Sequence, residues 1–102
     1  MVYVIQSSWP LDKTMDVVKI ASELGPIPEY IKRKMLSNPE VGVGITCFDI
    51  YEFDNSKYQE AIEYLKSRVS AYYSVPGFSY RMNRWNDESE AMEFAMKHIF
   101  KK

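Results

Sequence analysis

A single α+β domain is what the sequence predicts, and three observations predict it. The 102-residue chain is 46% hydrophobic and 15% aromatic with a formal net charge of -1, the balance of a packed domain and not of a disordered chain. Short β-branched runs alternate with stretches whose apolar residues recur every three or four positions, which places strands and helices in the order βαββαβα. Neither Gly25-Pro26-Ile27-Pro28 nor Ser37-Asn38-Pro39-Glu40 is long enough to serve as an interdomain linker, so both read as turns inside one domain spanning residues 1–102.

The run Val2-Tyr3-Val4-Ile5 suits a first strand, which should end near Ser7 because Pro10 brings no backbone donor. From Leu11 to Leu24 the apolar residues Leu11, Met15, Val17, Val18, Ile20, Ala21 and Leu24 recur at helical spacings of three and four. Asp12 or Ser8 is positioned to cap it, and Gly25 followed by proline supplies a positive-φ stop. Tyr30 to Leu36 sets Ile31 and Met35 against Lys32 and Lys34, a second strand with one wetter face. After a turn at Asn38-Pro39, the apolar run Val41 to Phe53 makes a third strand, and Gly42 and Gly44 predict irregular pairing with the second. Ser56 and Gln59 match a capping box ahead of a helix striped by Tyr58, Ala61, Ile62, Leu65, Val69 and Tyr72. Phe78 to Trp85 alternates as a fourth strand. Asp87 and Glu90 form a second capping box before a closing helix carrying Ala91, Met92, Ala95, Met96, Ile99 and Phe100.

Strand, helix, hairpin, helix, strand is the ferredoxin-like βαββαβ unit, here with a C-terminal helix. Right-handed crossovers put the helices on one face of a four-stranded antiparallel sheet. The other face is left open. If Val4, Ile45 and Met82 point to the helices, that face carries Tyr3, Ile5, Lys32, Lys34, Thr46, Phe48, Ile50, Arg81, Asn83 and Trp85. If the third strand takes the opposite phase, Cys47, Asp49, Tyr51 and Phe53 point outward instead. Either set is more apolar than a monomer usually leaves in one patch, which predicts a homodimer packed sheet to sheet.

The element order, the Leu24-Gly25-Pro26-Ile27-Pro28 break, the run Ile45-Thr46-Cys47-Phe48-Asp49-Ile50-Tyr51-Glu52 and the run Ala71-Tyr72-Tyr73-Ser74-Val75-Pro76-Gly77-Phe78 together resemble the dimeric α+β barrel superfamily. The last two runs are similar to small uncharacterised proteins of that group. The resemblance implies a fold and a sheet-to-sheet dimer. It implies no reaction, because the superfamily spans heme-degrading and quinone-forming monooxygenases, chlorite dismutase-like enzymes, muconolactone isomerases and sensor domains.

Composition narrows the chemistry. One cysteine, Cys47, and one histidine, His98, exclude a disulfide-stapled scaffold and a clustered zinc site, and a reducing, cytoplasmic setting is expected. No apolar run approaches the roughly 20 residues of a membrane span, and the N-terminus has no basic leader-like region. His98 sits among Lys97, Lys101 and Lys102, a cationic helix end favoured by the macrodipole, so no heme and no other cofactor is expected. The third strand lacks the basic-glycine-aromatic signature of RNA-recognition motifs and the net charge offers phosphates no footprint, so nucleic acid is not an expected partner.

Asp49 lies between Phe48 and Ile50, where a carboxylate must reach a cavity edge or find a partner. Arg81 or Arg33 is suited to pair with it, either lining a ligand cavity or fixing the dimer. Tyr51, Tyr80, Trp9 and Trp85 supply aromatic walls for a flat organic ligand, or core and interface packing. The expectation is a small dimeric protein binding a flat organic molecule at the sheet face, with Arg81, Trp85, Tyr51 and Tyr80 as ligand-binding residues and no metal. One alternative is a cofactor-independent monooxygenase or isomerase with Asp49 as catalytic base. The other is a structural or regulatory interaction module.

Overall fold

The computed structural model describes residues 1–99, and they form a ferredoxin-like α+β fold in the order βαββαβα. The strands are β1 (Val2–Trp9), β2 (Lys32–Glu40), β3 (Gly44–Glu52) and β4 (Ser79–Trp85). The helices are α1 (Thr14–Glu23), α2 (Tyr58–Ser70) and α3 (Glu88–His98). One sheet runs β2-β3-β1-β4 with every neighbour antiparallel. The expected Phe100 of the closing stripe, with Lys101 and Lys102, lies outside the described residues.

Pairing is continuous. Val2 faces Glu52 and Trp9 faces Ile45 across β1 and β3, and Lys32 faces Glu52 through to Glu40 facing Gly44 across β2 and β3. The irregular β2–β3 pairing expected from the glycines does not occur. Gly42 instead holds φ +86° in the 41–43 turn, while Gly44 lies so close to β1 that a Cβ there would stand 2.5 Å from the Trp9 carbonyl oxygen. The second strand also continues through Asn38 and Pro39, read from the sequence as a turn. Proline is accommodated because β2 is an edge strand, where a missing N–H need not break a ladder.

The helix starts differ from expectation as well. Residues 11–13 form a 3₁₀ turn before α1, and neither Asp12 nor Ser8 caps it. The Thr14 hydroxyl donates to the Leu11 carbonyl, and the Trp9 indole donates to Thr14 Oγ1. Ahead of α2, Asp54 accepts from the Ser56 amide and a 3₁₀ turn intervenes, so the Ser56–Gln59 box does not form. At α3 the Asp87–Glu90 capping box is present.

The core lies under α2. Ala61, Leu65 and Val69 of its stripe pack with Ile5, Ile31, Tyr51 and Phe53, and Leu65 and Ala61 are wholly buried. By contrast α1 buries Val17 alone, leaving Met15 and Val18 exposed, and α3 buries nothing. No helix among the described residues is long and apolar enough to cross a membrane.

The cross-strand register settles the faces. Ile5 stands opposite both Asp49 and Met82, so Ile5, Tyr3, Ile45 and Met82 look toward the helices while Val4, paired with Ile50 and Asn83, looks away. The assignment of Val4 inward and of Tyr3 and Ile5 outward is therefore reversed. β1 is apolar on both sides, so its own pattern cannot select a phase. For β3 the first of the two phases holds, with Thr46, Phe48 and Ile50 on the open face. Val4 is nevertheless buried there, with the Phe48 and Trp85 rings meeting edge to face at 6.3 Å on that side of the sheet.

Candidate functional site

Alternation along three strands gives the helix-covered face its chemistry. β1 presents Ile5, Ser7 and Trp9; β3 presents Ile45, Cys47, Asp49 and Tyr51; β2 presents Arg33, Met35 and Ser37. Because α1 buries a single side chain, helix and sheet do not close on each other here. The gap is a cavity of about 570 Å³, bounded on the helix side by Val17, Val18 and Ala21, then Arg68, Tyr72 and Phe78. That volume suits a small organic molecule, whose sites commonly span about 300–1,000 Å³.

The polar groups converge at its floor. Arg33 Nε donates to Asp49 Oδ1 at 2.9 Å, and Arg33 Nη2 lies 2.8 Å from the same oxygen. Asp49 Oδ2 takes neither bond. No buried side-chain oxygen or nitrogen among the described residues lacks a hydrogen-bond partner, so Oδ2 remains accessible from the cavity. Burial pushes the Asp49 carboxyl above its ordinary pKa, outweighing the downward pull of Arg33 and Arg68. Burial likewise raises Cys47, Tyr51 and Tyr72, so these groups keep their protons near neutral pH. The two phenols are available as donors, and Cys47 is a packed thiol rather than a thiolate nucleophile.

Arg68 reaches the cavity from α2. Its Nη1 donates to the Tyr64 hydroxyl at 3.3 Å, and it makes no ion pair among the described residues. Two guanidinium groups thus share the cavity with one carboxylate, an excess of one positive charge. Three aromatic rings line one side: Phe78 stacks on Tyr72 at 5.2 Å and on Trp9 at 6.4 Å, each pair 16° from parallel.

Of the residues singled out from the sequence, Asp49 and Tyr51 meet in this cavity, and Trp9 joins them. Arg33, not Arg81, pairs with Asp49. Arg81 and Trp85 project from the opposite face, where Arg81 borders a polar depression with Gln6, Ser8 and Thr46. Tyr80 shares the covered face but lies on edge strand β4, stacking on Tyr73 and bonding its hydroxyl at 3.0 Å. Arg68 and Tyr72 carry no mark in the sequence as site residues. Arg68 precedes Val69 on the flank of an ordinary core stripe, and Tyr72 reads as a member of that stripe. His98 ends α3, exposed, its ring 4.5 Å from that of Phe94. Among the described residues no three His, Cys, Asp or Glu side chains are grouped to hold a metal.

No protein-family model and no curated protein sequence matches the chain. Among solved structures it is similar to a de novo designed protein, Foldit4, at 14% identity and a TM-score of 0.49, over 83% of this chain and 97% of that one. It is similar to a formyltetrahydrofolate deformylase from Pseudomonas putida KT2440 at 13% identity and 0.45, over 85% of this chain and 30% of the other. It is also similar to aminopeptidase PepT from Bacillus cereus ATCC 10987 at 10% identity and 0.43, over 94% and 34%. The chain spans about a third of either enzyme's length, and none of these likenesses bears on its activity.

Proposed function

We propose that this protein binds a small, flat organic molecule in the cleft between its sheet and α1, and that it works as a homodimer of the dimeric α+β barrel kind. One observation carries the binding reading. A stack of aromatic rings, two arginines and a carboxylate with a free oxygen converge on one cavity of about 570 Å³.

The dimer rests on a different surface. Phe48, Ile50, Trp85 and Leu36 lie on the sheet face opposite the cleft. A second sheet packed against the first would remove those groups from water.

Equilibrium dialysis and thermal shift against planar metabolites test the binding reading. Stabilisation by a subset of them is expected, and silence across the library from folded protein overturns it. The unpaired oxygen of Asp49, on a carboxyl that burial makes more basic than usual, also supports a second reading, a cofactor-independent isomerase or monooxygenase that uses Asp49 as base. On that reading the wild type exchanges an acidic C–H of a bound ligand with deuterated solvent and Asp49→Asn does not. Absence of exchange in every ligand that binds removes it.

A further inference from the structure

The charges in the cleft go further than its shape. Arg33 is committed to Asp49 through two contacts on one oxygen. Arg68 is not committed in that way: it is half-buried, hydrogen-bonded to the Tyr64 phenol, and has no carboxylate partner among the described residues. A guanidinium fork so placed lacks the bidentate oxygen partner for which it is suited. Around it, Val69, Tyr72 and Phe78 are apolar or aromatic, and Tyr51 contributes a protonated hydroxyl.

We propose that the cleft selects planar organic monoanions, an aromatic or unsaturated carboxylate above all, with Arg68 as the group that receives the carboxylate. This inference rests on the binding function proposed above and names its ligand class. Sign and size of charge follow from the count. One uncompensated cation rewards one negative charge on the ligand. A second negative charge would meet Asp49, whose unpaired Oδ2 is an acceptor and repels it. A neutral ligand of the same outline gains the aromatic wall and leaves Arg68 unanswered. The three stacked rings that line the cleft favour an aromatic or unsaturated body, which can meet them by stacking or edge to face.

Isothermal titration calorimetry at pH 7 with 2-naphthoate, its uncharged amide and 2-naphthyl phosphate reads this directly. The carboxylate is expected to bind about tenfold or more tightly than the amide, the worth of one charge-assisted hydrogen-bonded pair. The phosphate is expected to bind no better than the carboxylate. Arg68→Gln should bring the carboxylate down to the affinity of the amide while the amide itself changes less than about twofold. Arg68→Lys should keep some of the preference, and Asp49→Asn should strengthen binding of the carboxylate. Circular dichroism confirms that each variant is folded. Equal affinity for carboxylate and amide, a preference that survives Arg68→Gln, or tighter binding of the phosphate overturns the charge assignment and leaves the cleft as a binding site. Failure of all three probes to bind the folded protein overturns the cleft reading along with it.

Discussion

Asp49 balances two opposed effects. Burial disfavours its charged form, while the Arg33 guanidinium, bonded to one of its oxygens, favours it; burial prevails and the pKa rises above 3.8. The sign of the consequence is fixed. A carboxyl that holds its proton more tightly in the folded chain contributes stability that is complete below the unfolded pKa and is lost as pH rises through the folded one. Urea melts from about pH 3 to pH 7 should therefore show the wild type losing ground to Asp49→Asn as pH increases, and a wild type that gains ground contradicts the assignment. Removing the partner is a separate matter. Arg33→Gln leaves a buried carboxylate with no opposite charge in contact, and we expect a loss of about 3 kcal/mol at pH 7, largely recovered at pH 3. At this scale the sequence was only half legible. A carboxylate in an apolar strand called for a partner, and Asp49 was found on that ground. Which arginine answers it depends on the sheet face each occupies, and nothing within the β4 pattern told Arg81 from Arg33.

Among the elements, order and position were readable because periodicity and stop signals are local. The α2 stripe, the Gly25 stop and the Asp87–Glu90 box came from spacing and residue type alone. Phase was not readable in β1, where Val2, Tyr3, Val4 and Ile5 give both faces similar apolar character. Only the pairing of Ile5 with Asp49 and Met82 decides it. The two helices of the βαβ units also differ in a way their stripes conceal. α2 carries the core, whereas α1 stands off and leaves the cleft open. Leu65→Ala should cost about 3 kcal/mol by denaturant unfolding, since it empties a wholly buried site. Val18→Ala, on the cleft wall and exposed, should cost well under 1 kcal/mol. Comparable losses at the two positions would mean that α1 is packed as tightly as α2. Gly44→Ala adds a methyl against the Trp9 carbonyl at a positive φ, and a loss of about 1–3 kcal/mol is expected in the same assay.

The described chain measures 52 × 31 × 19 Å, with a radius of gyration of 16.1 Å against about 13 Å for a compact domain of this length. β2 is exposed along its whole length and α3 buries no side chain, so much of the extension belongs to elements without a covering layer. The sequence shows the apolar groups of the open sheet face, Phe48, Ile50 and Trp85, but not the exposure of β2 and α3. Light scattering should give twice the chain mass, and Phe48→Asp on the open face should halve it; a wild-type monomer at high concentration contradicts the dimer. The proposed ligand and the proposed partner would occupy opposite faces of the same sheet, and where a ligand sits is the most direct test. Titration of the isotope-labelled protein with 2-naphthoate, followed by NMR, should shift resonances of Val17, Val18, Arg68 and Tyr72 and leave those of Arg81 and Asn83 in place. Shifts gathered at Arg81 and Asn83 instead, with the cleft silent, would contradict the account.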